Sequence, residues 1–396
     1  VSFFSIIPDT SGSASMTTNR FKNWPYEKKL FQLSHLRKKN TKNTCSIFIG
    51  KETPLNKILK LHKIIFNVFN YLKNSKKKLI IIEGSSWIFY TFIVLLAFKA
   101  LLPNTKIIYI SHNVESEIRK EFSNKFIYLL TKILEKLVFK YSNLSTVVSD
   151  KDKKKIKKLY NLSPIVYPNA ISLNFKLNKN KIKNDYIIYS GSYYFKPNKE
   201  AIDYLNTKIM PQLIKKMPHI KLLLTGGGLN KDYPWIINKG IVSKNNLYNF
   251  IYHSKLMCVP LTFGSGTRIK IIEALTLGTV VISSSKGIEG INLKKKNPPF
   301  IANDKRETIK ILIMVLKKFD KFNIESNKDR IFYKKTYSMS NIPYIQVSGV
   351  GSSLLWGNTA GQSFPYNGGV LNVSPLPSVP TGYYLTSSAC GTAIGS

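Results

Sequence analysis

Between Pro260 and Gly278 the chain sets a guanidinium, an ammonium and a carboxylate just behind a glycine turn, in the order Gly264-Ser265-Gly266-Thr267-Arg268-Ile-Lys270-Ile-Ile-Glu273. The apolar run 255–260 before it reads as a strand. Ile269, Ile272 and Leu275 then recur at helical spacing, and Gly278 stands where a C-terminal cap belongs. Such a strand–turn–helix points backbone N–H groups outward, and a helix N-terminus favours negative charge. Arg268 and Lys270 fall in the first turn, where cations oppose the helix dipole; an anion beside them would relieve the conflict. Glu273 follows Lys270 by about 4.5 Å along the axis, at roughly 1.5 Å per residue. That spacing suits a carboxylate holding ribose hydroxyls next to a phosphate at the helix tip. The plainer alternative is a surface helix carrying a Glu–Lys pair.

Further polar groups stand at the ends of other apolar runs. Ser111-His112-Asn113-Val114-Glu115 follows the run 106–111, and Val148-Ser-Asp150 precedes a lysine-rich helical stretch. Tyr167-Pro-Asn-Ala-Ile171, Tyr189-Ser-Gly191-Ser192 and Lys196-Pro-Asn198 come next in order. Together with the 260–278 segment they resemble the GT-B glycosyltransferases of the large retaining family 4. The subgroup concerned reads Gly-Ser-Gly-Thr-Arg-x-Lys-x-x-Glu-Ala. The 260–278 motif is specific, the others weak singly, and the resemblance spans roughly residues 1 to 340.

The resemblance implies two Rossmann-like domains facing a cleft and transfer of a sugar from a nucleoside-diphosphate sugar to a glycan or lipid-linked acceptor, with retention. It implies catalytic roles for His112, Arg268 and Lys270, and donor-binding roles for Gly191, Lys196, Ser265, Gly266, Thr267 and Glu273. Gly12, Asn113 and Glu115 would line the remainder of the site, with closure bringing His112 against Arg268 and Glu273. Cations at the diphosphate would act on the charge that develops as the sugar leaves. Two departures stand out. Ser265 occupies the position eight before Glu273 where many members carry a second Glu, and the first loop, 8–15, holds only Gly12. His112 has a packing alternative, Glu115 reads equally as a helix-start carboxylate, and Lys196 equally as a solvated side chain. Gly226-Gly-Gly228 lacks dinucleotide-fingerprint spacing and reads as a turn.

The positioning elements are legible as alternation. Apolar runs at 1–7, 46–50, 79–83, 106–111, 144–149, 186–190, 221–225, 255–260 and 279–283 are separated by helical stretches. Near-continuous Ile, Val and Leu fits parallel sheet buried on both faces. With 396 residues, this predicts an α/β fold of two doubly wound domains, over 1–173 and 185–335, joined by a Lys- and Asn-rich linker at 174–184. The run 87–98 is too short to cross a bilayer and predicts a buried helix.

The net charge of +39 is spread along the chain, with no RNP-type or paired-Cys module, so no nucleic acid is expected. Part of the excess fits codon bias; the rest fits attraction to an anionic membrane surface or acceptor. Cys45, Cys258 and Cys390 stand far apart without metal-ligand spacing, which fits a cytoplasmic protein, and the basic charge fits a place at the inner face of the membrane. Asp150-Lys-Asp152 reads as an N-cap rather than a metal-binding pair; neither metal nor additional cofactor is expected. No signal peptide is visible, and Val1 falls inside the first strand, as if a few residues preceded it. The last 61 residues contain no Asp, Glu, Lys or Arg. That shift points to a fused foreign segment, a disordered arm or a small β-rich module outside the enzyme fold. A nucleotide-sugar epimerase and a non-catalytic basic binding protein are the rival readings.

Overall fold

The computed structural model describes residues 2–5, 12–23, 27–34, 37, 39–50, 53–75, 78–84, 88–172, 176–177, 184–294, 299–338, 346–347, 362–366 and 369–373. The chain divides into two compact units, Val1–Ala170 with Met339–Ser396, and Ile171–Ser338.

The first unit runs β1 (Ser2–Ser5), α1 (Gly12–Asn23), β2 (Lys29–Ser34), β3 (Thr44–Phe48), α2 (Pro54–Leu72), β4 (Leu79–Gly84), α3 (Ile88–Leu101), β5 (Lys106–Ser111), α4 (Glu115–Phe122), α5 (Lys125–Tyr141), β6 (Leu144–Val147), α6 (Asp150–Tyr160) and β7 (Ile165–Val166). Its sheet is parallel throughout, in the order β3-β2-β1-β4-β5-β6-β7. The order reverses between β1 and β4, the doubly wound arrangement that opens a crevice at the carboxyl ends of those strands. Right-handed crossovers put α2, α3 and α5 on one face and α1 on the other; α3 packs against both α2 and α5. β4 is buried along its length, and Ile64, Val68, Ile80, Ile82, Val94 and Leu95 lie at the centre of the core. The 87–98 run forms α3 as expected, burying Ile88, Tyr90, Val94, Leu95 and Phe98.

The second unit runs β8 (Asn184–Ser190), α7 (Lys196–Tyr204), a π turn (Leu205–Ile209), α8 (Met210–Lys216), β9 (Lys221–Thr225), β10 (Ile236–Asn238), α9 (Lys244–His253), β11 (Ser254–Val259), α10 (Ile269–Leu277), β12 (Val280–Ser283), β13 (Phe300–Ile301), α11 (Lys305–Lys317) and α12 (Phe319–Tyr337). Its parallel sheet has the order β10-β9-β8-β11-β12-β13, with the reversal between β8 and β11. Where the chain passes into and out of this unit, Ile171 N donates to Tyr337 O at 2.9 Å.

Two local expectations need correction. Ser149, not Asp150, caps α6: its hydroxyl accepts from Asp152 N at 3.1 Å, and Asp150 is the first helical residue. The one-residue shift follows from the extended backbone at Ser149, which an N-cap requires. Gly12 through Ser15 are helical rather than loop, and residues 6–11 lie outside those described. α12 ends at Tyr337. Most of the expected linker also lies outside the described residues, and Asn184 already belongs to β8. In the uncharged tail, β14 (Gln346–Val347), β15 (Gln362–Tyr366) and β16 (Gly369–Val373) pair antiparallel in the order β14-β16-β15. Among the described residues no helix is long and apolar enough to cross a membrane.

Candidate functional site

In the second unit, the loops after β8 and β11 leave neighbouring strands at the reversal point of the sheet. The β8 loop is held by Gly191 N donating to Thr225 O at 2.9 Å and Tyr193 N to Gly227 O at 3.0 Å. Gly226 (φ +114°) lies so close beneath it that a Cβ there would come 2.5 Å from the Gly191 carbonyl carbon. Only glycine fits. The run 226–228 is indeed a turn, with positive φ at all three glycines.

Lys270 lies across this junction. Its Nζ donates to Asn198 Oδ1 at 2.9 Å and sits 4.0 Å from the centre of the Tyr189 ring. Tyr189 Oη donates to the same Asn198 oxygen at 2.9 Å, while Asn198 Nδ2 donates to Ser192 O at 3.0 Å. A Cβ on Gly191 would stand 2.7 Å from the Lys270 ammonium, so that glycine is where the β8 loop meets the cation. Burial, reinforced by the Arg268 charge, pulls the Lys270 pKa down to about 7 against the opposing pull of Glu273. The amine is poised to gain a proton when an anion arrives.

Arg268 is the N-cap residue of α10 and folds back over its own turn. Its Nη1 donates to Ser265 O at 2.5 Å and to Gly266 O. Gly264 and Gly266 have φ of +111° and +76°, the conformations that let the turn curl under the guanidinium. Gly278 closes α10 in the left-handed region, as its place in the sequence implies. Glu273 is buried within α10, and its carboxylate takes an ion pair from Lys244, at the start of α9. Lys196 is the exposed first residue of α7. The structure thus gathers Gly191, Asn198 and Lys270 where the loop after β8 meets the start of α10, and beside them Ser265, Gly266 and Arg268 in the turn before α10, while Lys196 is exposed at the start of α7.

In the first unit, His112 follows β5 and is 5% exposed. Its Nε2 lies 2.7 Å from Glu83 Oε2, and Arg20 Nη1 donates to that same oxygen at 2.7 Å. Arg20 Nη2 donates to Asn169 Oδ1 at 3.1 Å, and its guanidinium lies 5.2 Å from the centre of the Tyr167 ring. Burial opposes ionisation of Glu83, but Arg20 and His112 outweigh it and hold the carboxyl below its ordinary range. For His112 burial dominates, keeping the imidazole neutral despite Glu83. A neutral ring facing a carboxylate through Nε2 carries its proton there and keeps Nδ1 as an acceptor. Among the described residues neither Nδ1 of His112 nor Oε1 of Glu83 has a hydrogen-bond partner. A carboxylate-oriented imidazole with an acceptor nitrogen can take a proton or a hydrogen bond.

Asn113 is part-buried, and its carbonyl accepts from Ser111 Oγ at 2.6 Å. Glu115 belongs to a different cluster from His112. It is the first residue of α4, where its N–H donates to Glu135 Oε1 at 2.6 Å, and its side chain accepts from Arg119 Nη2 at 3.2 Å. Burial, with Glu135 adding to it and Arg119 opposing, lifts its pKa to about 8.

Sequence reading passed over Arg20, Glu83 and Lys244. One sign was available: Glu83 closes an otherwise apolar run at a strand's carboxyl end, a costly place for a carboxylate without a partner. Among the described residues no group of three or more His, Cys, Asp or Glu could hold a metal ion. An open recess of about 950 Å³ lies at the opposite, amino ends of β8 and β9, bounded by Asn184, Lys221, His219 and His253. It shares no residue with the glycine turns.

Residues 184–318, which include both glycine turns and α10, match the family model described as glycosyl transferases group 1. An uncharacterized 44.6 kDa protein in the cps region of Klebsiella pneumoniae is 24% identical over 256 residues, 60% of this chain and 60% of that protein. The chain thus spans about three-fifths of the length of that curated relative. Sucrose-phosphate synthase from Thermosynechococcus elongatus superposes with a TM-score of 0.63 at 12% identity, over 85% of this chain and 95% of that one. HepE of Anabaena, crystallised with UDP and glucose, gives a TM-score of 0.61 at 11% identity over the same shares. The fold is α/β with parallel sheets of the kind seen in GT-B glycosyltransferases.

Proposed function

We propose that this chain is a glycosyltransferase of the GT-B type that takes a sugar from a nucleoside-diphosphate donor and passes it to a glycan or lipid-linked acceptor, with retention of configuration. One observation carries the reading: the Arg268 turn and Lys270, both following β11, meet the loop after β8 at the reversal point of a doubly wound sheet, inside the segment that matches the group 1 family model. Ligands of open α/β sheets bind at that point. In this reading the amides of Gly266 and Thr267, the Arg268 charge and Lys270 hold the diphosphate, and Glu273 accepts hydrogen bonds from ribose. Fixed cations there stabilise the leaving diphosphate more in the transition state than before it. His112, oriented by Glu83 and Arg20, keeps its Nδ1 as the acceptor for a proton or hydrogen bond. No metal or additional cofactor takes part.

The complex of HepE with UDP and glucose supports a nucleotide-sugar donor. The cps-region relative supports a place in cell-envelope polysaccharide synthesis.

The test is a screen of UDP-, GDP- and dTDP-sugars by thermal stabilisation, since a ligand that binds only the native state raises the melting point. Products are then analysed with and without a glycan acceptor. Stabilisation by one donor, with sugar released only onto acceptor, is the expected result. An epimerised sugar formed without acceptor would assign the other activity, and no stabilisation by any of the three would remove the donor site.

A further inference from the structure

The first unit carries an apolar surface that its own core does not use. On α5, Phe126, Leu129 and Ile133 recur at intervals of three and four residues and point away from the core; Phe126 is 73% exposed and Ile133 58%. Residues so spaced form one line along a helix. The opposite side of α5, with Leu134, Glu135 and Val138, is buried. On α2, Leu55, Leu59 and Phe66 make a second such line, with Leu55 63% and Phe66 62% exposed. Between these helices, α3 packs against both and leaves Leu96 and Leu101 exposed. Single exposed apolar residues need no explanation; a run of them across three adjacent helices does.

The charge around these lines has one sign. Lys125, Lys132, Lys136 and Lys140 lie on the outward half of α5, and its single acidic residue, Glu135, is buried. Neither α2 nor α3 contains an Asp or Glu. Among the described residues, the outward carboxylates nearest in sequence to α5, Glu117 and Glu121, sit on α4. A helix with an outward apolar line and flanking lysines is built to lie in the plane of a lipid headgroup layer: the line enters the acyl boundary while the long lysine stems keep their ammonium groups among the phosphates.

We propose that the α2–α3–α5 face docks the protein on an anionic lipid bilayer. Charge decides between this occupant and a second copy of the chain. At a net charge of +39 two copies repel, and joining these faces would oppose lysine to lysine. An anionic leaflet attracts each lysine near its surface. Nothing in this proposal depends on the chemistry at Lys270.

The test uses the full chain and co-sedimentation with two kinds of vesicle, pure phosphatidylcholine and phosphatidylcholine containing phosphatidylglycerol. The variant combines Phe126→Ser, Leu129→Ser and Ile133→Ser, which removes the apolar line and keeps every lysine. Because these side chains are exposed, the melting temperature should hold, and a scan of the variant checks it. The wild type should bind the phosphatidylglycerol vesicles well above the neutral ones, and the variant should bind them at least about tenfold more weakly. Equal binding by the two proteins would mean that adhesion is charge alone and would overturn the proposal. So would failure of the wild type to bind either vesicle, or vesicle-free dimerisation that the variant abolishes.

Discussion

The Lys270 ammonium and the Asn198 side-chain oxygen, 2.9 Å apart, tie the start of α10 to the start of α7. The cation is therefore aimed at the β8 loop and not at solvent. Its pKa, drawn down to about 7 by burial and by Arg268, has a consequence for binding. An anionic diphosphate selects the protonated form, so affinity is greatest below neutrality and falls as pH rises through about 7, by up to about tenfold per pH unit. Titration calorimetry with UDP across that range should show this slope and proton uptake on binding. Lys270→Met should abolish both. A slope that survives in Lys270→Met would assign the titration to another group.

Glu273 is held by Lys244, 29 residues earlier, and lies almost wholly out of water. If it serves ribose and not phosphate, Glu273→Ala should weaken UDP binding about tenfold, or about 1.4 kcal/mol, while inorganic pyrophosphate binds as before. Parallel calorimetric titrations of the two ligands decide the matter. An equal loss for both would mean that the carboxylate only supports the helix.

Gly226 supports the β8 loop from below, where a Cβ would meet the Gly191 carbonyl carbon at 2.5 Å and the backbone is at φ +114°. Gly226→Ala is expected to displace Gly191 and with it the Lys270–Asn198 contact. The protein should stay folded, with a melting temperature a few degrees lower, and lose most of its nucleotide affinity. Unchanged affinity would show that the β8 loop is not part of the site.

Arg20, Glu83 and His112 form a buried group in which one carboxylate oxygen accepts from both the Arg20 guanidinium and the neutral His112 ring. Removing one partner strands a buried charge, so Arg20→Met should cost about 3–5 kcal/mol in urea unfolding. Arg20→Met with Glu83→Gln should recover part of it, since the stranded charge is then gone. Equal stability of wild type and Arg20→Met would contradict the pairing.

Local pattern carries far in this chain and distant pairing does not. The strands Lys106–Ser111 and Lys221–Thr225 and the cap at Gly278 are legible residue by residue, because their signals are periodicity and backbone chirality. β2 escaped because Lys29 and Gln32 interrupt its apolar run, and β10 because three residues give no period. Around Lys270 the sequence drew attention to Lys196, yet the side chain that meets the ammonium is Asn198, two positions on. Arg20 and Glu83 lie 63 residues apart and meet only through tertiary packing. Arginine is scarce beside lysine here, and Arg20 sits where a fork of donors is needed, holding Glu83 through Nη1 and Asn169 through Nη2.

The measurement that bears most directly on the donor site is the affinity of the nucleoside diphosphate for Arg268→Ala, with Lys151→Ala as the control on an exposed lysine of α6. Arg268→Ala should bind at least about tenfold more weakly and lose sugar transfer by orders of magnitude, while Lys151→Ala matches the wild type in both. If Arg268→Ala and Lys151→Ala bind and turn over alike, the turn before α10 does not hold the diphosphate and the assignment falls.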